Sequence, residues 1–299
     1  MAANKWIREK PLHLMMIPSL ILLLIFCYIP MFGVWIAFQK YYPAQGIFQS
    51  KFVGLNNFKY MTEIPFVLQT VWNTIIIAGM KMIVGAVLPI VISILLNEVR
   101  LRLIRAGIQT LIYLPHFLSW VILSGILIDI LSTKGIVNSF LSYAFGSKPI
   151  FFLGDNNWFR YILVLSDAWK EFGFSTIVYM AAIAGINPSL YESAMMDGAN
   201  RWKQALYITL PGMMPIIVLL ATLSLGNVLN AGFDQIFNLY NPAVYETGDI
   251  IDTMIYRMGL VEMQYGLSTA VGLLKSVISL ILISISYLLA YRFANYRIF

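Results

Sequence analysis

Three ionisable residues stand close together inside an apolar stretch of the chain. Asp167, Lys170 and Glu171 lie at positions i, i+3 and i+4, so a helix through them places all three on one face. Paired carboxylates perform general acid and base catalysis when their environments separate their pKa values, and such a site also needs a nucleophile, a metal or a phosphate site. The sequence shows no such companion. We therefore predict that the chain has no catalytic residues and is not an enzyme.

The remaining side chains that bind metals or react as nucleophiles are few and scattered. His13 and His116 each stand near the edge of an apolar stretch without a local carboxylate or cysteine pattern, which argues against a metal site. Cys27 is the only cysteine, so it can form no intramolecular disulfide. We expect these three side chains to be packed or interfacial, and we predict no metal.

The elements that must position these residues are membrane-spanning helices. Of the 299 residues, 60% are hydrophobic and 11% are charged, and the mean hydropathy is +0.78, which excludes an ordinary soluble domain. A helix needs about 20 apolar residues to cross a hydrocarbon layer of about 30 Å. We therefore predict an all-α polytopic membrane protein with six transmembrane helices. The predicted spans are 12–38, 67–97, 106–131, 160–184, 212–233 and 267–291.

Basic residues at the ends of the apolar segments predict the orientation of the chain. Lys and Arg favour the cytoplasmic side of short loops, and the basic tail, the turn near Arg102, the loop near Arg201 and the basic C-terminal end alternate as six spans require. Both termini are then cytoplasmic, and the net charge of +6 reflects membrane edges rather than nucleic-acid binding. The predicted parts are a cytoplasmic tail at 1–11, the first transmembrane helix with an extracytoplasmic loop at 12–66, a five-helix core at 67–291, and a cytoplasmic tail at 292–299.

Ionisable side chains inside a span are costly, so each indicates either a transport pathway or a contact between helices. Lys81 and Lys275 lie roughly 12–15 Å along their predicted helices, near the middle of the membrane, and we assign both a structural role. Asp167, Lys170 and Glu171 are candidates for the pathway. For the charged residues as a group, mutual pairing that holds helices together is the favoured interpretation.

The fifth predicted span carries a narrow polar stripe. Ser224, Asn227, Asn230 and Asp234 recur every three to four residues along an otherwise apolar helix. Amide and carboxylate groups bind sugar hydroxyl groups, while aromatic faces pack against sugar C–H surfaces. Asn227, Asn230 and Asp234 therefore either line a substrate pathway or bridge to a partner subunit, and neither is favoured. The aromatic candidates for the pathway are Trp120, Trp169 and Tyr179.

The polar stretch before the fifth span is expected to form two short helices with a bend. Asn187 is suited to cap the first helix and Pro188 to begin it, while Gly198 can adopt the left-handed conformation that ends it. Tyr191 and Met195 lie four residues apart and could serve as apolar anchors in a pocket of another protein. An ordinary interfacial amphipathic loop is the alternative.

The spacing in this stretch resembles the EAA signature of the binding-protein-dependent permeases, the membrane subunits of type I ATP-binding-cassette (ABC) importers. Glu192-Ser193-Ala194 is followed by three residues and Gly198, then by nine residues and an I-x-L-P sequence that ends at Pro211. Ser193 replaces the second Ala of the signature, and serine is also small. The resemblance implies the type I ABC importer permease fold, with an EAA coupling loop at 187–211 that docks to an ATPase. By position, the coupling residues are Tyr191, Glu192, Ser193, Ala194, Met195, Asp197, Gly198 and Ala199.

Other segments resemble the LplB-type permeases along most of the chain. Among them are Pro30-Met31-Phe32-Gly33-Val34, Gly232-Phe233-Asp234-Gln235-Ile236 and Tyr240-Asn241-Pro242. This resemblance implies uptake of oligosaccharides or polysaccharide fragments.

The family resemblance also implies partners. Two permease subunits form the pathway, two ATPase subunits lie beneath them, and an extracellular lipoprotein delivers the substrate; we expect the second permease to be a different chain. The sequence has no G-x4-G-K-[ST] phosphate loop, so we expect no cofactor in this chain, with ATP and Mg bound by the partner ATPases.

The function expected on these grounds is ATP-driven inward transport of oligosaccharides by alternating access. The chain would lie in the bacterial cytoplasmic membrane, in contact with membrane lipid and without any nucleic acid. The alternative function is a proton-coupled secondary transporter that uses the intramembrane charged residues as a relay.

Overall fold

The computed structural model describes residues 2–226 and 228–294, and nearly all of them are helical. The first elements are α1 (Ala2–Leu23), α2 (Ile29–Met31), β1 (Gln39–Lys40), α3 (Gly46–Gln49), β2 (Lys51–Phe52) and α4 (Asn56–Glu63). They are followed by α5 (Pro65–Glu98), α6 (Arg102–Tyr113), α7 (Trp120–Leu131), α8 (Ile136–Phe145), α9 (Asn156–Ala184) and α10 (Pro188–Met196). The last are α11 (Arg201–Gln204), α12 (Leu210–Gly226), α13 (Phe233–Leu239), α14 (Tyr245–Gly248), α15 (Ile251–Tyr256) and α16 (Tyr265–Ala294).

The apolar helices agree with the predicted all-α membrane architecture. Among the described residues, 5 helical stretches are long and apolar enough to cross a membrane, and the number rises to 6 if α9 and α10, which are bent by 70°, count as one span. The 5 stretches are Glu9–Phe38, Pro65–Glu98, Trp120–Phe145, Arg201–Gly226 and Tyr265–Leu288.

The predicted span at 106–131 is wrong as a single helix. α6 gives way to a 3-10 turn at Leu114–Phe117, and α7 begins only after Ser119. Pro115 has no backbone N–H and its ring disfavours a continuing helix. Ser119 then starts a new helix, because its hydroxyl oxygen accepts the N–H of Ile122 at 3.3 Å.

The fifth span is also displaced from its predicted position at 212–233. It begins at Arg201 and continues through a π turn at Ala205–Thr209 to Gly226. The second helix of the predicted bend is thus the first part of the span itself. After Gly226 the chain leaves the helix, and Gly232, with a φ of 94°, precedes the separate helix α13.

Contacts divide the chain into two compact units, one formed by the residues up to 64 together with 255–273, the other by 65–254 together with the residues from 274 onward. In the first unit, β1 and β2 pair as an antiparallel hairpin. The side-chain amide of Asn57 donates to the backbone oxygens of Ala37 at 2.8 Å and Gln39 at 3.0 Å. These bonds order the connection between α2 and α4.

The second unit is built around α9, which packs along α5. Its core contains fully buried side chains from several helices, and between membrane helices such side chains stabilise the fold mainly through close van der Waals packing. The core residues with no exposed surface include Ile77, Phe159, Leu163, Ile236 and Val244.

A glycine permits α9 to approach the end of α6. A Cβ atom at Gly173 would lie 1.9 Å from the backbone oxygen of Ile112, which is far inside the contact distance of two heavy atoms. This oxygen belongs to backbone and cannot rotate away, so the two segments would have to separate if the residue were larger.

We predict that Gly173→Ala destabilises the chain, because the added methyl group forces α6 away from α9. The expected loss is about 1–3 kcal/mol, as for overpacking elsewhere. The matched control is Gly79→Ala on α5, where a Cβ atom meets nothing within 4 Å. The control should be neutral or slightly more stable, because alanine favours helix more than glycine does. Thermal unfolding of both variants in detergent tests the prediction, and equal midpoints would contradict it.

Candidate functional site

The predicted bend before the fifth span is present and begins as expected. The side-chain oxygen of Asn187 accepts the N–H of Ser189 at 3.0 Å, and Pro188 is the first residue of α10. An asparagine cap satisfies a free amide at the helix start, and the fixed φ of proline suits the first helical position.

The end of α10 is formed around Gly198, which has a φ of 78°. Its N–H binds the backbone oxygen of Met195 at 3.1 Å, and the N–H of Ala199 binds that of Ala194 at 2.8 Å. These two bonds form a Schellman motif, the usual termination for a glycine in the left-handed region. Gly198 therefore sets the direction in which the chain leaves α10.

Large apolar side chains are exposed on this loop. Met195 is 58% exposed, Met196 is 88% exposed and Trp202, on α11, is 75% exposed. Exposed apolar groups beside polar ones are typical of surfaces that contact another protein or a membrane interface. The charged or small residues Glu192, Ser193 and Asp197 are exposed on the same loop, while Ala194 and Ala199 are half-buried.

Tyr191 is not the exposed anchor that the sequence predicts. It is half-buried, and its hydroxyl lies 2.9 Å from the hydroxyl of Thr209 within the same chain. The i, i+4 spacing with Met195 is real, but the tyrosine is directed toward the start of the fifth span. The exposed large apolar side chains of α10, which remain available for a partner, are Leu190, Met195 and Met196.

Lys81 stands at the centre of a polar cluster in the second unit. Its ammonium group forms an ion pair with Asp167 at 3.1 Å and donates to the backbone oxygen of Ala231 at 2.7 Å and to the side chain of Gln235. Gln235 donates in turn to the backbone oxygen of Leu163 at 2.8 Å. The lysine thereby connects α5, α9 and the segment before α13.

A cavity of about 710 Å³ lies against this cluster. Its size is within the range of small-molecule sites, and its lining is mainly apolar with a few polar groups, as is usual for such sites. Its polar or aromatic lining residues include Lys81, Asp167, Ser175, Tyr179, Ser224 and Asn230.

Lys170 and Glu171 face a different neighbour from Asp167, although all three share α9. Lys170 donates to the backbone oxygen of His116 at 2.9 Å and pairs with Glu171 at 3.0 Å. The other carboxylate oxygen of Glu171 contacts His116 Nδ1 at 2.8 Å. The ammonium group also lies 5.6 Å from the ring centre of Trp120. This cluster secures the turn between α6 and α7.

Lys275 also forms contacts with polar side chains, and one of them belongs to the polar stripe that the sequence predicts on the fifth span. That stripe is wrong as a continuous helical face. Lys275 Nζ contacts Asp252 at 2.6 Å and the side-chain oxygen of Asn230 at 3.0 Å. Asp234 is exposed in the first turn of α13 and does not continue the fifth span, because the helix ends at Gly226. Asn227 lies outside the described residues.

The aromatic candidates occupy three different environments. Tyr179 is 3% exposed and lines the cavity. Trp120 is half-buried next to Lys170, while Trp169 is 47% exposed on α9. The structure therefore brings Tyr179, Asp167 and Asn230 together at one cavity, and Trp120 with Lys170 and Glu171 at the other cluster.

Several participants in these clusters were missed from the sequence. His116 was predicted to be isolated, yet it stacks on Phe174 with ring centres 4.3 Å apart and contacts Glu171. Gln235 and Thr209 were not predicted to take part in either cluster or in the contact with Tyr191. Pro115 could have indicated that the turn around His116 needs partners. A proline interrupts a helix, and the carbonyl groups that lose their helical bonds inside an apolar run must be satisfied by other residues.

Comparisons with known proteins agree with this architecture. Residues 85–295 match the family described as binding-protein-dependent transport system inner membrane component. The chain is 40% identical over 295 residues to the polygalacturonan/rhamnogalacturonan transport system permease protein YteP of Bacillus subtilis (strain 168), covering 99% of this chain and 92% of that protein. It is 39% identical over 300 residues to protein LplB of the same organism, covering 100% of this chain and 93% of that protein.

Solved structures show the same fold. A bacterial ABC transporter involved in the import of the acidic polysaccharide alginate superposes with a TM-score of 0.90 at 37% identity, covering 98% of this chain and 99% of that chain. A second structure, of a bacterial alginate ABC transporter in complex with an alginate pentasaccharide-bound periplasmic protein, gives a TM-score of 0.89 at 38% identity, covering 97% of this chain and 96% of that chain. The chain is thus a multi-pass membrane protein, and it belongs to the family of binding-protein-dependent transport system inner membrane components.

Proposed function

We propose that this chain is a permease subunit of an ABC importer that moves oligosaccharides or polysaccharide fragments into the cell by alternating access. The observation that carries the proposal is the geometry of α10, a capped helix with exposed methionines that retains the EAA spacing. A relative named as a polygalacturonan/rhamnogalacturonan transport system permease, and a solved ABC transporter involved in the import of alginate, support the saccharide substrate. Family membership leaves no reason to retain the proton-coupled carrier.

The partners and cofactors follow from the same proposal. α10 docks to an ABC ATPase, and two such ATPases bind the ATP and Mg that this chain does not bind itself. A second permease subunit, encoded as a different chain, completes the pathway, and an extracellular lipoprotein delivers the sugar. A relative solved with a periplasmic protein that carries an alginate pentasaccharide supports the last partner.

The orientation is also part of the proposal. Both termini and α10 face the cytoplasm, since Arg201 and Lys203 lie at the start of the fifth span, just after α10, and basic residues favour that side. Glu192, Gly198 and their neighbours then meet the ATPase from the membrane side. The cavity beside Lys81 is the proposed sugar pathway, with Asp167, Tyr179 and Asn230 on its wall.

Reconstituted transport tests the function directly. The chain is co-expressed with its candidate second permease, ATPases and lipoprotein, purified through a tag on this chain and placed in vesicles. We expect ATP-dependent uptake of labelled oligosaccharides from polygalacturonan, rhamnogalacturonan or alginate, and less uptake of neutral maltooligosaccharides of equal length. Absence of an ATPase from the purified complex, or uptake driven by a proton gradient without ATP, would refute the proposal.

We predict that Gly198→Leu separates the ATPase from the permease. A leucine strains the left-handed backbone that ends α10 and changes the direction of the loop. The expected result is about a tenfold weaker ATPase association, which corresponds to about 1.4 kcal/mol. The measurement is the amount of ATPase that co-purifies over a series of protein concentrations.

Gly146→Leu is the matched control for this change. Gly146 also ends a helix in the left-handed region, with a φ of 61°, and a Cβ atom there meets nothing within 4 Å, as at Gly198. The control should suffer similar backbone strain but keep its ATPase. Equal loss of ATPase in both variants would show that strain alone is responsible, and that α10 has no docking role.

We predict that Asp167→Asn lowers both stability and transport. The change leaves the Lys81 ammonium group without its counter-ion, and we expect a loss of about 1–3 kcal/mol. Asp129→Asn, at an exposed aspartate on α7, is the control and should be neutral. The double variant Lys81→Met with Asp167→Leu should regain only part of this stability, because a hydrophobic pair can replace the ion pair but leaves the backbone oxygen of Ala231 without its donor. Transport by a stable double variant at the normal rate would remove the pair from the proposed pathway.

A further inference from the structure

Tyr191 connects α10 to the π turn at the start of the fifth span. Its hydroxyl lies 2.9 Å from Thr209 Oγ1, and Thr209 is only 3% exposed. The threonine hydroxyl also lies 3.4 Å from the backbone oxygen of Gln204 and donates its hydrogen there. Since a hydroxyl group carries one hydrogen, Thr209 then accepts the bond from Tyr191.

The residue before the cap of α10 also packs against the fifth span. A Cβ atom at Gly212 would lie 2.6 Å from Cδ1 of Ile186, so the residue before the Asn187 cap packs directly on the first turns of α12. The absence of a side chain at Gly212 leaves room for the side chain of Ile186 against the backbone of α12. α10 is therefore held against the fifth span on its N-terminal side by packing, and along its length by the Tyr191 hydroxyl.

The connection between α10 and α11 has the features of a hinge. Gly198 is in the left-handed region, and Asn200 starts α11 as a separate cap that accepts the N–H of Lys203 at 2.9 Å. A helix joined to the next through such a short non-helical connection can turn without moving its neighbour, as hinges in other proteins do. A side-chain contact between α10 itself and the fifth span lets movement of α10 reach that span without passing through Gly198.

We propose that the hydrogen bond between Tyr191 and Thr209 is that link, and that both are positioning residues for transport. The bond makes α10 and the start of the fifth span move as one body. It meets the span at the π turn Ala205–Thr209, and π turns are common at functional sites and at kinks. This inference rests on the proposed docking of α10 to an ATPase, and it assigns Tyr191 to transmission rather than to docking.

The test compares sugar moved with ATP consumed. The complete importer is purified with Tyr191→Phe, which removes only the hydroxyl group, or with Thr209→Val, and both rates are measured in the same vesicles. We expect the ATPase content and basal ATP hydrolysis to be unchanged, while sugar transported per ATP falls about 3- to 10-fold, the range expected for loss of one hydrogen bond. Thr209→Ser keeps the hydroxyl group, so this variant should transport as much sugar per ATP as the wild type.

Two further variants sharpen the result. Combining Tyr191→Phe with Thr209→Val should cause no greater loss than Thr209→Val alone, because that change already removes the bond to Tyr191, together with the longer bond to Gln204. Glu98→Gln is the matched control: it breaks an exposed ion pair between the end of α5 and Arg201 in the same loop. Exposed ion pairs contribute little, so this variant should change coupling less than twofold.

The outcomes distinguish this inference from the proposed function. A wild-type complex without ATPase would refute the proposed function itself. If the wild type has its ATPase and Tyr191→Phe transports as much sugar per ATP, the transmission role is wrong. Loss of the ATPase from the Tyr191→Phe complex would also overturn it, since Tyr191 would then be a docking residue. Additive losses in the double variant would show that the two hydroxyl groups act separately.

Discussion

The second unit depends on hydrogen bonds that two lysines donate to backbone oxygens where helices are interrupted. Lys81 binds the oxygen of Ala231 at 2.7 Å, in the segment before α13, and Lys170 binds that of His116 at 2.9 Å, in the turn before α7. A carbonyl group released where a helix is broken inside the protein needs a donor, and leaving it buried and unpaired is costly. Each lysine supplies the missing donor.

A lysine in this position introduces a charge that must itself be neutralised. α9 supplies both counter-ions, Asp167 for Lys81 and Glu171 for Lys170, one helical turn apart. Attraction between two buried charges offsets their desolvation only when further hydrogen bonds complete the site, and the Gln235 side chain provides one for Lys81. The interrupted helices therefore need the lysines as donors, and the lysines need the carboxylates of α9 as counter-ions.

The sequence predicted those features that depend on neighbouring residues. Asn187 and Pro188 at the start of α10, Gly198 at its end, and the shared helix of Asp167 and Glu171 are all encoded within a few positions, and the structure has all of them. Local spacing is sufficient here, because caps and helix faces are determined within one or two turns.

The features that the sequence did not reveal depend on distant partners. His116 and Glu171 are 55 positions apart, and nothing near either residue indicates their contact. The fifth span was placed too late because the apolar composition continues past Gly226, and hydropathy does not register a backbone that leaves the helix. The Lys81 contact with Ala231, 150 positions away, could emerge only after that segment was known to be non-helical.

The course of α9 explains how the loop and the cavity can act together in the proposed importer. α9 has 29 residues, about 44 Å at 1.5 Å per residue, and only three residues separate its end from α10. Closely packed helices shift as units rather than deforming continuously. Where a displacement of α10 in the proposed importer also shifts the three connecting residues, it moves the end of α9, and along that helix Glu171, Asp167 and the lysines paired with them. Because those lysines hold the interrupted segments, and Lys81 and Asp167 also line the cavity, a shift of α9 would change the shape of the cavity wall.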